Sequence, residues 1–238
     1  MSETPSGPPI GPAVADKPAP RPSRVVLEGA RVRIEPLDPK KHGDDLWAAC
    51  GEGKRDAMWA YMAVGPFPDR ASFDAYLERF AKSEDPLAFA IVTKPDNRAA
   101  GIVAYLRIEP THRVIEVGNI WYGEALQGSA AATEAMYLLA KHAFEDLGYR
   151  RYEWKTNAFN AASRKAAERL GFTFEGVFRQ HMIMKGRNRD TAWFAMLDGE
   201  WPLVRRAFEA YLDPKNFEGS RHKKSLPDIR QSLSTEPA

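Results

Sequence analysis

Apolar positions along the chain recur in two rhythms, every second residue and every third or fourth, and the switches between them mark the elements. Val25–Glu35 holds two short β-like runs, Val25-Val26-Leu27 and Val32-Arg33-Ile34, around Glu28-Gly29. A polar helical stretch covers about 39–53. Ser72 is placed to cap a helix reaching about Lys82, with Phe73, Leu77 and Phe80 on one face. Leu87–Lys94 and Ala100–Glu109 read as strands joined through Pro95-Asp96-Asn97-Arg98, and a third strand, Val114–Tyr122, follows. Ala132, Ala135, Met136, Leu139, Ala143 and Leu147 keep helical spacing up to Gly148, which can end the helix in a left-handed cap. Tyr152–Thr156 is a short strand, and Asn160 starts a helix that stops at Leu170-Gly171. Strands at about Phe174–Lys185 and Thr191–Leu197 flank the turn at 186–190, and a last helix runs from about Pro202 to Leu212.

This order combines hairpins with at least one strand–helix–strand crossover, so the fold class is mixed α/β in a single domain. Residues 1–23 are rich in Pro, Ala and Ser and are expected to form a disordered arm. The domain proper then covers 24–214, and 215–238 is expected to be a flexible polar tail. Its basic tetrad Arg221-His222-Lys223-Lys224 reads as solvated rather than as a nucleic-acid contact.

Composition narrows the possibilities. A formal charge of +2 over 238 residues gives no electrostatic reason to expect nucleic acid as partner. The single cysteine, Cys50, excludes an internal disulfide framework and suits a cytoplasmic protein. No stretch of about 18 apolar residues occurs, so no membrane span is expected. The histidines show no metal spacing, and no metal is expected. A phosphate-binding Gly-x-x-x-x-Gly-Lys-Ser/Thr loop and a Gly-x-Gly-x-x-Gly turn are both missing.

Chemistry concentrates in two segments. The strand ending at Tyr122 leads through Gly123–Leu126 into Gln127-Gly128-Ser129-Ala130-Ala131-Ala132-Thr133-Glu134. A helix start offers unpaired amides and a positive dipole end, and small residues let an anion approach them. A tight turn into an alanine-rich helix would look the same. The second segment is Asn157-Ala158-Phe159-Asn160-Ala161-Ala162-Ser163. Asn160 suits an N-cap, and Ser163 falls on the apolar face, where its hydroxyl needs a partner. Bonding back to the helix backbone would meet that need.

With these segments the sequence resembles the GNAT superfamily of N-acyltransferases, and within it the ribosomal-protein N-terminal acetyltransferase (RimJ/RimL-type) group. Gln127, Ala130 and Ala132 occupy the family's cofactor motif of Gln or Arg, two residues, Gly, one residue, then Gly or Ala. Ala130 therefore stands where the inner glycine is expected. Ala132-Thr133-Glu134-Ala135 matches the continuation of the motif, and the resemblance covers about residues 25–200.

The resemblance implies a central, mostly antiparallel sheet of about seven strands, with acetyl-CoA wedged between the fourth and fifth. The pyrophosphate would lie on the backbone around Gln127, Gly128, Ser129, Ala130, Ala131, Ala132 and Thr133. Ile120 and Tyr122 would pair with the pantetheine amides, with Asn157 and Asn160 alongside. Many members carry a tyrosine where this chain has Ala167. The ribosomal-type group has Asn-x-x-Ser, matched by Asn160 and Ser163, so Ser163 is expected to bond the CoA sulfur.

Glu116, between Ile115 and Val117, is the first candidate for the base that frees the amine's lone pair. A cross-strand ion pair is an equal reading of it. His181 and Asp190 are reserves, and Arg179, His181 and Asp190 match residues that order the closing hairpin in that group. Trp59-Ala60-Tyr61-Met62 is a candidate acceptor wall. The function implied is acetyl transfer from acetyl-CoA to a primary amine, by a monomer or homodimer. The alternative is a non-catalytic acyl-CoA-binding or regulatory domain.

Overall fold

The structure, a computed structural model, describes residues 11–50, 56–94 and 96–235. The organisation follows from β3 (Leu87–Thr93), which is apolar at every position from Leu87 to Val92 and buried on both faces. Leu87, Phe89 and Ile91 enter one core, while Ala88, Ala90 and Val92 enter another on the opposite side.

β3 pairs antiparallel with β2 (Val32–Pro36) and β4 (Arg98–Glu109), and β2 in turn with β1 (Leu27–Glu28). The two short β-like runs expected over 25–35 thus pair with each other as a small hairpin. β5 (Val114–Tyr122), β6 (Arg151–Asn157), β7 (Thr173–Met184) and β8 (Arg187–Leu197) complete an eight-stranded sheet in the order β1-β2-β3-β4-β5-β6-β8-β7. Every pair is antiparallel except β5–β6, which the crossover helix α3 (Ala130–Lys141) connects.

α1 (Pro39–Cys50) and α2 (Arg70–Lys82) cover the small-residue face, contributing Leu46, Phe73, Tyr76, Leu77 and Phe80. α3, α4 (Ala161–Leu170) and α5 (Trp201–Leu212) cover the other. Asp69, not Ser72, caps α2: its carboxylate accepts from the Ser72 amide at 2.7 Å. An aspartate three residues upstream outcompetes the serine because it is both a strong cap and a charge at the positive helix end.

Two expectations about the ends change. Residues 215–234 do not run as a flexible tail. β9 (Phe217–Glu218) and β10 (Arg221–His222) form a hairpin, and α6 (Leu226–Ser234) follows with Leu226 and Ile229 buried against the main core. His222 of the basic tetrad stacks on Tyr211 at 4.0 Å between centroids. A mean polar composition had hidden two apolar anchors at helical spacing. Residues 11–23 lack regular structure, yet Ala19 is buried and its amide donates to Pro110 O at 3.0 Å. Residues 1–10 and Pro95 lie outside the described residues, as do the last three positions expected for the first helix. Among the described residues no helix is long and apolar enough to cross a membrane.

Candidate active site

The β5–β6 pair is a fork. Its register covers only Val114↔Arg151, Ile115↔Tyr152 and Glu116↔Glu153. Beyond that point β5 remains paired to β4 and β6 to β8, but not to each other. A bulge in β5 helps to open the gap: three steps from Gly118 to Trp121 oppose two on β4, and Asn119 absorbs the extra residue at φ 51°. Asparagine tolerates that left-handed conformation better than most residues.

The gap is a cavity of about 420 Å³ bounded by Glu116, Ile120, Tyr122, Trp154, Asn157, Asn160 and Ser163. The structure therefore brings six of the sequence-derived site residues, Glu116, Ile120, Tyr122, Asn157, Asn160 and Ser163, to one place. A second cavity of about 770 Å³ adjoins it, sharing Tyr61, Met62, Asn157, Met184 and Arg189. Trp59, Ala60, Tyr61 and Met62 all line this outer cavity. The Lys185 ammonium fixes their loop by donating to the carbonyls of Trp59, Val64 and Gly65, at 2.9, 3.0 and 2.5 Å. Tyr61 donates from its hydroxyl across the cavity to Phe159 O at 3.3 Å.

Ser163 sits half-buried on the first turn of α4. Asn160 caps that helix, its Oδ1 accepting from the Ser163 amide at 3.1 Å. The Ser163 hydroxyl does not bond back to the helix. It accepts from Trp154 Nε1 at 3.0 Å. With one lone pair so engaged, the hydroxyl proton has no acceptor among the described residues and is available to the cavity. Trp154 was not singled out from sequence; nothing in its spacing marks it as more than a core residue.

Glu116 is buried in a line of alternating charge. The period of two along β6 puts Arg151, Glu153 and Lys155 on one face. Lys155 Nζ lies 2.9 Å from Glu116 Oε2 and 2.6 Å from Glu153 Oε2, and over the Trp193 ring at 3.9 Å. Arg107 donates to the same Glu116 Oε2 at 2.9 Å. A bulge at Arg107, φ 47°, aims it there, with the Asp85 carboxylate accepting from the amides of Arg107 and Ile108. The ion pair of the second reading is present, though with Arg107 as well as Lys155, and Glu116 also lines the cleft. Burial raises its carboxyl above the ordinary range, outweighing the opposing pull of Lys155 and Arg107.

At the start of α3, Ser129 caps with its hydroxyl, accepting from the Ala132 amide at 3.1 Å. The amides of Gln127 and Ser129 bond to the carbonyls of Glu124 and Leu126. Those of Gly128, Ala130 and Ala131 have no acceptor among the described residues. Gly128 adopts φ 69° with no heavy atom near the position a Cβ would take, so the space before these amides is open. The Ala130 and Ala131 methyls pack on the core, which leaves their amides uncovered.

Three side chains of this segment have other duties. Gln127 donates to Tyr122 O at 3.0 Å, occupying a carbonyl expected to face pantetheine. Thr133 is buried, and its hydroxyl spans Ser129 O and the Arg169 guanidinium. Glu134 accepts from the amides of Ala30, Arg31 and Val32 at 3.1, 2.6 and 2.9 Å, tying α3 to the β1–β2 turn. A Cβ on Gly29 would lie 2.6 Å from that carboxylate, so glycine is required for the approach.

Neither reserve for the base is among the residues lining the two cavities. Asp190 accepts from the Gln180 amide and Asn188 Nδ2, which holds it below the ordinary carboxylate range and pins a bulge in β7. His181 Nδ1 lies 3.0 Å from Thr191 Oγ1, and burial followed by the charges of Arg107, Arg189 and Lys155 lowers its pKa. Arg179 is exposed on the same strand. Among the described residues no cluster of His, Cys, Asp or Glu could hold a metal ion.

Comparison with known proteins places this geometry. Residues 31–173 match the family described as "Acetyltransferase (GNAT) domain". The crystal structure of a GCN5-related N-acetyltransferase from Brucella melitensis superposes with a TM-score of 0.89 at 46% identity, covering 90% of this chain and 98% of that one. "Putative ribosomal N-acetyltransferase YdaF" of Bacillus subtilis (strain 168) is 28% identical over 106 residues, 44% of this chain and 57% of that protein. The chain thus spans little more than half the length of this relative. The microcin C7 self immunity acetyltransferase MccE, solved in complex with acetyl-CoA and AMP, shares the fold at 23% identity and a TM-score of 0.61, over 71% of this chain and 93% of that one. The fork, the open helix start and the match over 31–173 agree: this chain belongs to the GNAT family of acetyltransferases.

Proposed function

We propose that this acetyltransferase moves an acetyl group from acetyl-CoA to a primary amine by direct attack, with Glu116 and Ser163 serving the two proton movements. The observation that carries the reading is that Glu116 on β5 and Ser163 on α4 both line one forked cleft. Family membership and the acetyl-CoA seen in the MccE neighbour support the donor.

The cofactor pyrophosphate lies on the amides of Gly128, Ala130 and Ala131, and its pantetheine fills the gap between β5 and β6. Ile120 on β5 and Asn157 on β6 face that chain. Glu116 takes a proton from the ammonium, which frees the lone pair for attack on the thioester carbonyl. The adduct nitrogen, cationic after attack, gives up its second proton toward the sulfur as the adduct collapses and the C–S bond breaks, so that the products are the neutral amide and the CoA thiol. Ser163 hydrogen-bonds the sulfur as charge develops there, held in orientation by Trp154. A serine hydroxyl is a weak acid, so it stabilises the thiolate or relays a proton from water. The reaction is set in the cytoplasm, where a lone cysteine is at ease.

The test is release of CoA thiol when purified protein is offered acetyl-CoA and a panel of primary amines, beside melting curves with and without acetyl-CoA. A rise in melting temperature together with amine-dependent thiol is expected. A thermal shift without thiol from any amine would favour the non-catalytic, cofactor-binding alternative. No shift at millimolar acetyl-CoA would overturn the cofactor site itself.

A further inference from the structure

The two adjoining cavities are unequally charged. Among the described residues their walls carry Arg107, Lys155, Lys185, Arg187 and Arg189 against one carboxylate, Glu116. Arg107 and Lys155 are neutralised by Glu116 and Glu153, and Lys185 is spent on three loop carbonyls. Arg187 and Arg189 remain. Neither has an ion-pair partner among the described residues, and both face the outer cavity.

Arg189 is the more telling of the two. It lies at the junction of the cavities, half-buried, and one guanidinium nitrogen meets only the Met184 sulfur, at 2.9 Å. Its Nε is enclosed without any hydrogen-bond acceptor. A guanidinium has five donors in a rigid fork, and a thioether is a weak acceptor. A cation held out of water without its anion is costly unless a ligand supplies one. Burial lowers the Arg189 pKa, and the Glu116 carboxylate, whose own ion pairs are with Arg107 and Lys155, opposes that fall without reversing it.

We infer that the acceptor is an anionic amine: the molecule carrying the amine also carries an oxyanion, carboxylate or phosphate, which Arg189 binds at the junction while Arg187 draws it in at the mouth. Tyr61 and the exposed Phe159 ring supply apolar wall for the skeleton between the two groups. Polycationic amines are disfavoured by the same charges. This rests on the acetyltransferase reading and names its acceptor class.

The experiment compares acceptors matched in shape but not in charge: the dipeptide amides Phe-Asp, Phe-Asn and Phe-Lys, and phosphoethanolamine against ethanolamine. Thiol release should give the anionic members at least about a 10-fold advantage in kcat/KM, the scale of one charge-assisted hydrogen-bonded contact. Arg189→Gln should bring that preference to within about 3-fold, through KM, with acetyl-CoA affinity unchanged and Arg189→Lys retaining part of it. The Arg189→Gln melting temperature should not fall, because no ion pair is lost.

Equal use of neutral or cationic partners, or a preference that survives Arg189→Gln, would overturn the inference. If no amine releases thiol, the transferase reading fails instead. Calorimetry of the same compounds on CoA-saturated protein then decides the charge question: anion-selective binding abolished by Arg189→Gln supports it, and its absence refutes it.

Discussion

Replacing Ser163 by alanine separates two roles that the geometry superimposes. The hydroxyl accepts the indole N–H of Trp154 at 3.0 Å, and Trp154 is only 7% exposed. Deleting the oxygen leaves a buried donor without an acceptor, a cost of about 1–2 kcal/mol of stability. For a domain of this size that corresponds to a melting temperature lower by roughly 2–8 °C. Catalytically the same variant loses a hydrogen bond made to the sulfur only as negative charge develops, so kcat should fall about 10- to 100-fold with acetyl-CoA affinity nearly unchanged. Trp154→Phe is the companion. It removes the donor but keeps the hydroxyl, so any loss of stability comes from the smaller ring in the core and not from an unpaired donor, and only part of kcat is lost, through misorientation. Steady-state thiol release and differential scanning calorimetry on both variants read the two effects independently. A Ser163→Ala protein that melts lower yet turns over like wild type would show that Ser163 serves only to satisfy the tryptophan.

Three further outcomes follow from contacts elsewhere. Glu116→Gln should flatten the acidic limb of the kcat/KM profile; because burial raises this carboxyl, the wild-type limb should lie above the ordinary glutamate range, and an unchanged limb would remove Glu116 from the base role. Glu134→Ala should destabilise by about 3–5 kcal/mol, since three amides lose a charged acceptor, with Glu134→Gln less severe; denaturant melts within about 1 kcal/mol of wild type would refute the anchoring role. At Glu35, burial acts to raise the pKa, but hydrogen bonds from Lys41, Arg33 and His42 win and bring it to about 2. A depressed pKa gives stability that is present above the unfolded value near 4.5 and lost as pH falls toward 2, so Glu35→Gln should flatten the stability profile across that window by up to about 3 kcal/mol.

The elements carrying the site were legible because each is spelled locally. Val114–Tyr122 appears with the bounds expected, and Asn160 and Gly171 bracket α4 as cap residues should. The alternation of β6 was equally visible as a strand, but its partners were not. Lys155 joins Glu116 to Glu153 only because β5 and β6 lie side by side, a pairing that one-dimensional spacing does not encode. Arg107 reaches Glu116 through a bulge, and Arg189 reaches the cavity junction across a hairpin whose register depends on a two-residue bulge in β7. Such irregularities shift a side chain to the other face without any compositional mark. The C-terminal helix was hidden for a different reason. Its two buried residues are diluted by polar neighbours that face solvent.

The three-rung fork gives the sheet a seam. Strands β1–β5 form one antiparallel block, and β6, β8 and β7 form another. Among the described residues, backbone bonding along this seam is confined to Arg113–Glu116 against Arg150–Glu153. The block that bears β5 and packs against α3, with its open amides, can therefore stay fixed while the far hairpin is rebuilt. Substitutions at 182–190 reshape the outer cavity and touch the donor cleft only through Met182, Met184 and Arg189 on its wall, leaving the β1–β5 ladder intact. The molecule is, in this sense, a socket with an exchangeable jaw.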